Sequence, residues 1–200
     1  MLVDIFPTTI FVHHVPPDRF DNVQTEISKQ IPKLRKLITT PWSDKMPTTF
    51  NYNLVNNIKD FDLNLLEQEI LKCVTAYSNG LNLNANYYIK ESWFNFGKKN
   101  TFQFEHAHSN SLISGVYYYN TNTQDGKIEF RHPNPIAAAT QGFPYKSVMT
   151  GNFPARIATT FNFAPEPGKL ILFPGWLTHR VLPNTTNNER ISISFNLDSF

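Results

Sequence analysis

Two hundred residues, 40% of them apolar, suit one globular domain with a single substantial core. A formal net charge of +2 with 17% charged residues leaves no electrostatic footprint for nucleic acid or an anionic membrane surface. One cysteine, Cys73, excludes an internal disulfide framework. With no basic leader and no apolar run of membrane-spanning length, the expectation is a soluble cytoplasmic protein.

The first third of the chain reads as scaffold. Ile10-Phe-Val12 is a short strand leading to His13-His14, and adjacent strand residues face opposite sides, so that pair does not chelate one ion easily. Pro16-Pro17-Asp18 opens a helix with Phe20, Val23, Ile27 and Ile31 at helical spacing, which Pro32 should end or kink near Gln30. Lys33-Leu-Arg35-Lys36 reads as a solvated face. Residues 41–47 form a turn-rich connector, and Thr48 to Val55 alternates enough for a strand. A second helix starts near Asp62 and carries the stripe Leu63, Leu66, Ile70, Cys73, Val74 and Tyr77. Cys73 on that stripe is a small buried hydrophobe.

From residue 86 the pattern becomes β. Candidate strands are 87–95, 102–108, 112–119, 127–131, 157–163, 169–173, 179–182 and 190–197, punctuated by turn residues such as Gly97-Lys-Lys-Asn100 and Pro165-Glu-Pro-Gly168. The 14% aromatic content, including 17 Phe, fits a β-rich interior. Short strands at this spacing suggest a sandwich or jelly roll, and two outside helices make the class α+β, mainly β. The long segment 132–156 lacks periodicity and is expected to cover part of a pocket and to help choose a substrate, with His132 at its surface or outside direct ligation.

Chemistry concentrates in three places. His106-Ala-His108 lies on a predicted strand, where residues two apart share a face and can share a metal ion. His179 follows a buried strand and a Pro-Gly turn. Arg190-Ile-Ser192 opens the last strand, with its two polar side chains on one face and Ile191, Ile193 and Phe195 on the other. Glu105 should face away from His106, and Asp125 or Glu129 could reach the site only if their hairpin folds over it.

This ordered set resembles the iron(II)- and 2-oxoglutarate-dependent oxygenases from about Trp93 to the C-terminus. It looks closest to a branch of uncharacterised oxygenases common in marine bacteria and phages. The resemblance implies a double-stranded β-helix (jelly-roll, cupin-like) core over residues 86–200, with residues 1–85 as supporting elements of the same single domain, 1–200. It implies that His106, His108 and His179 bind iron(II). It also implies that Arg190 and Ser192 hold the far carboxylate of 2-oxoglutarate, with Tyr118 and Asn95 contacting the cosubstrate. Tyr117 and Tyr119 then face the other way, and Trp93 and Trp176 are packing residues. Dioxygen and an unidentified prime substrate complete the partners of a hydroxylase that releases succinate and carbon dioxide.

Position 108 departs from the family pattern, which places an acidic ligand there. Three neutral imidazoles leave the site one charge more positive and suit later first-row metals such as nickel or zinc as well as iron. Two other readings stay open at this point: a three-histidine dioxygenase that does not use 2-oxoglutarate, and a cupin-like metal-binding protein without catalysis.

Overall fold

The segment Lys169–Pro174 is apolar along most of its length and buried almost throughout, as a strand covered on both faces requires. In the computed structural model of the protein, which describes residues 7–39, 46–51, 55–134 and 158–200, this strand lies inside the larger of two sheets. The strands in chain order are β1 (Phe11–His14), β2 (Tyr87–Gly97), β3 (Gln103–His106), β4 (Ile113–Asn120), β5 (Ile128–Arg131), β6 (Thr160–Phe163), β7 (Lys169–Pro174), β8 (His179–Val181) and β9 (Arg190–Ser199). The larger sheet has the order β1-β7-β4-β9-β2 and the smaller β3-β8-β5-β6, with every pairing antiparallel. The result is the jelly roll, mainly β with few helices, that the strand pattern suggests.

Strand alternation divides the core into two layers. Leu170 and Leu172 of β7, Ile191, Ile193, Phe195 and Leu197 of β9, and Tyr117 of β4 face the helices α1 (Pro17–Leu34) and α3 (Asn64–Gly80). Ile171, Phe173, Val116 and Tyr118 face the smaller sheet, where they meet Ile128, Phe130 and Leu177. The helix side holds the larger apolar cluster, and the space between the sheets combines a smaller one with polar groups. β9 states this directly: its second face is Arg190, Ser192, Ser194 and Asn196.

Several expectations are corrected. The first helix continues past Pro32 to Leu34 and then into a 3-10 turn, Arg35–Leu37. Pro32 removes one backbone donor, but Leu34 is fully buried in the helix–sheet core, and that packing outweighs one lost hydrogen bond. Arg35 is not part of a free solvated face: it pairs with Glu189 and stacks over the Phe96 ring, 4.9 Å from its centroid. No strand forms among the described residues between Thr48 and Val55. Thr48 makes isolated bridges to Thr39 and Asn95, and the Thr48 and Thr49 hydroxyls bond the backbone of Phe94 beside a few backbone hydrogen bonds. A short helix, α2 (Asn57–Asp60), precedes α3 and was not expected. Residues 41–45 of the connector, 52–54 of the expected strand, 135–156 of the long segment and residue 157, expected to begin a strand, lie outside the described residues. Among the described residues, no helix is long and apolar enough to cross a membrane.

Candidate active site

His106 is the last residue of β3 and pairs directly with His179, the first residue of β8, with ring centroids 4.4 Å apart. β3 ends at His106, so His108 is not on the strand as expected. It is held instead by its backbone N–H, which donates to the Gly175 carbonyl at 2.8 Å. Its ring stacks 5.2 Å from that of His106 and 5.1 Å from that of His179. One ligand atom from each histidine lies within 4.8 Å of the others, a spacing that could hold a metal ion.

The protons of all three rings are directed. Nδ1 of His106 meets the Phe104 carbonyl at 2.7 Å, and Nδ1 of His179 meets the Leu177 carbonyl at 2.8 Å. Nδ1 of His108 meets Oδ1 of Asn196 at 2.5 Å, with the Ser114 hydroxyl 2.9 Å away. An acceptor at Nδ1 puts the proton there and leaves the Nε2 lone pair for a metal. Burial pushes the His108 imidazole down to about 4, against the opposing Asn196 bond, and pushes His179 down to about 3, helped by the neighbouring rings. Near neutral pH both are uncharged, the form in which imidazole ligates.

A cavity runs from these rings between the sheets, lined also by Asn95, Tyr118, Arg190 and Ser192. Arg190 is 3% exposed; its Nη1 donates to the Gly126 carbonyl at 2.7 Å, while its Nε is buried without a partner. Burial lowers its pKa, opposed by Tyr118 and Asp125. The Tyr118 phenol, also fully buried, is pushed up to about 12 and stays protonated. Ser192 sits between Asn95 and Tyr118 in the sheet register, and Asn95 donates to the Ser194 hydroxyl at 3.0 Å. A guanidinium with an unpaired N–H beside a phenol and a serine hydroxyl fits a carboxylate; three neutral imidazoles fit a divalent metal. The residues present therefore fit both iron(II) and 2-oxoglutarate.

The other sequence candidates are elsewhere. Glu105 pairs with Arg131 at 2.8 Å and faces away from the rings. Asp125 accepts from Thr121, Asn122, Thr186 and Asn188, and Glu129 accepts from Arg180 at 2.7 Å. His13 lies 4.0 Å from Glu69, His14 3.3 Å from Glu166, and His132 accepts from the Asn134 N–H. Among the described residues no carboxylate joins the histidine group. Trp93 packs edge-on to Phe50 at 5.0 Å and 5.9 Å from the His108 ring, whereas Trp176 is 56% exposed and is not a packing residue. It sits on the tight turn that presents Gly175 to His108.

Asn196 was missed, and with it Glu91, whose Oε1 accepts from Asn196 Nδ2 at 2.5 Å. The signal was available: Arg190-x-Ser192-x-Ser194-x-Asn196 continues the polar face of a strand that is otherwise apolar and buried.

The fold is that of known non-haem oxygenases. A prolyl-4-hydroxylase from Pseudomonas putida is 14% identical, with 94% of this chain and 92% of that chain covered and a TM-score of 0.59. HygX from Streptomyces hygroscopicus, solved with nickel and 2-oxoglutarate bound, is 12% identical, with 95% and 82% covered and a TM-score of 0.56. An oxidoreductase of the 2OG-Fe(II) oxygenase family from Burkholderia pseudomallei is 18% identical, with 85% and 76% covered and a TM-score of 0.55. At these identities the likeness is one of fold. No curated protein sequence matches the chain.

The family follows from the sequence itself. Residues 91–196, more than half the chain, match the family described as "Putative 2OG-Fe(II) oxygenase". The chain belongs to that family and is an oxidoreductase whose cofactors are iron(II) and 2-oxoglutarate.

Proposed function

We propose that the protein is an iron(II)- and 2-oxoglutarate-dependent dioxygenase that hydroxylates a substrate and releases succinate and carbon dioxide. His106, His108 and His179 are its metal ligands, and Arg190, Ser192, Tyr118 and Asn95 receive the cosubstrate. What carries this reading is a single cavity with three convergent imidazoles among its walls and the buried, partly unpaired Arg190 among them too.

Iron(II) with 2-oxoglutarate supplies oxidative decarboxylation and hydroxylation when bound. The chain's own residues do the rest. The three Nε2 atoms would hold the metal between them, with no other protein ligand among the described residues. Arg190 binds the far carboxylate through its planar fork, Tyr118 donates its phenolic proton, and Ser192 adds a hydroxyl. Val116, Ile128 and Phe173 wall the cavity with apolar surface and keep water from it. A second, more open pocket shares Trp93, His106 and His108 with the first and is also lined by Phe50 and Asn110. Substrate enters there, beside the metal and away from Arg190.

The test is anaerobic titration of the iron(II)-loaded protein with 2-oxoglutarate. A visible charge-transfer band is expected, absent in Arg190→Ala, together with slow succinate release under air. Iron binding with no band in the wild type would favour a three-histidine dioxygenase that does not use 2-oxoglutarate.

A further inference from the structure

His106 and His179 have their protons directed by backbone carbonyls, which cannot reverse. His108 alone depends on a side-chain amide, and a primary amide can present either its oxygen or its nitrogen. Ser114 does not decide between them. Its hydroxyl, 2.7 Å from Asn196 Oδ1 and 2.9 Å from His108 Nδ1, rotates and can donate or accept.

Glu91 does decide. An ionised carboxylate only accepts hydrogen bonds, so the Asn196 group 2.5 Å from Glu91 Oε1 must be the NH2. The amide oxygen then faces His108, the imidazole proton sits on Nδ1, and the Nε2 lone pair is free. Among the described residues Glu91 has no cationic partner; its neighbour Lys90 pairs with Asp198 at 3.5 Å. Its charge is thus not neutralised at source, and it polarises the amide toward the ring.

We propose that Glu91 is a positioning residue for the metal centre: through Asn196 it fixes the tautomer of His108 and makes that ring a stronger ligand. The sequence places a histidine where the family motif has an acid, and the missing negative charge is returned one hydrogen-bonded residue further out. This rests on the reading that the three imidazoles hold a metal, and it is independent of whether 2-oxoglutarate is used.

The experiment compares wild type with Glu91→Gln, which keeps the shape and loses the charge. Long-range 1H–15N spectra of the metal-free protein report which nitrogen of His108 carries the proton, and cobalt(II) titration reports affinity. Wild type should show the Nδ1–H form. Glu91→Gln should show a mixture and bind cobalt(II) at least about tenfold more weakly, the usual size of such effects. A His108 proton that stays on Nδ1, or an affinity within about twofold of wild type, overturns the proposal.

A background variant separates this role from simple folding support. In His108→Asp the ligand has no tautomer to set, so adding Glu91→Gln should not weaken cobalt(II) further; an equal loss there also overturns the proposal. His106→Ala tests the metal reading by itself. If it binds cobalt(II) as tightly as wild type, the ligand assignment fails, whatever Glu91 does.

Discussion

The backbone N–H of His108 and the carbonyl of Gly175 are joined at 2.8 Å, which ties the turn after β3 to the turn before β8. The contact sets the third imidazole against the other two, and only a residue without a side chain can sit there. A Cβ at Gly175 would fall 2.1 Å from the Ser111 carbonyl oxygen and 2.9 Å from that of His108. Gly175→Ala must therefore push the two turns apart. The expected cost is ~1–3 kcal/mol of stability, the range for overpacking a tight site, with weaker cobalt(II) binding as His108 swings away. Denaturant unfolding and metal titration check both. An unchanged protein would show that the turns give way without disturbing the rings.

Much of this arrangement was legible in the chain, and the reasons differ by residue. Arg190 and Ser192 could be set opposite the core because Ile191, Ile193 and Phe195 alternate with them, whereas choosing Tyr118 over its neighbour Tyr117 rested on the family resemblance. His106 and His108 were paired by a strand argument that holds only for the first of them. The strand stops at His106, and the second ring arrives through a long-range hydrogen bond that no local pattern encodes. Glu91 and Asn196 come from strands far apart in sequence but adjacent in the sheet, where Glu91 pairs with Asn196 in register. Register between distant strands is a tertiary property. The helix through Pro32 shows the converse: a strong local signal overridden by the burial of Leu34.

The loop that supports Arg190 should respond to acid. Burial would raise the Asp125 pKa, but hydrogen bonds from Thr186, the Asn122 N–H, Asn188 and Thr121 outweigh it and hold the carboxyl below its ordinary value of 3.8. A depressed carboxyl stabilises the fold fully above its unfolded pKa and loses that contribution as pH falls through the folded value. Asp125→Asn should thus be less stable than wild type at pH 7. The gap should close as the wild type is titrated below about 4, near the unfolded value. Because the adjacent Gly126 carbonyl holds Arg190, the same variant should weaken 2-oxoglutarate binding. Chemical denaturation across pH is the measurement, and a gap that persists at the lowest pH would mean that shape, not charge, is what Asp125 supplies.

Arg190 itself separates stability from function. Without a bound carboxylate it is a buried cation with one N–H unpaired, an arrangement that costs the fold ~1–3 kcal/mol. Replacing a buried charge by an apolar side chain of similar volume is often neutral or stabilising. Arg190→Met should therefore melt no lower than wild type when both are free of cosubstrate. Adding 2-oxoglutarate should then reverse the order. The wild type gains about 2.7 kcal/mol at a hundredfold excess over its dissociation constant, while Arg190→Met gains nothing. Arg190→Lys keeps a charge but loses the fork that meets a carboxylate with two bonds, so it should keep the burial cost and bind poorly. Thermal melts of the three proteins with and without 2-oxoglutarate give the comparison. If Arg190→Met melts well below wild type yet is still raised by 2-oxoglutarate, the guanidinium is a strut for the Gly126 turn and the cosubstrate is held elsewhere.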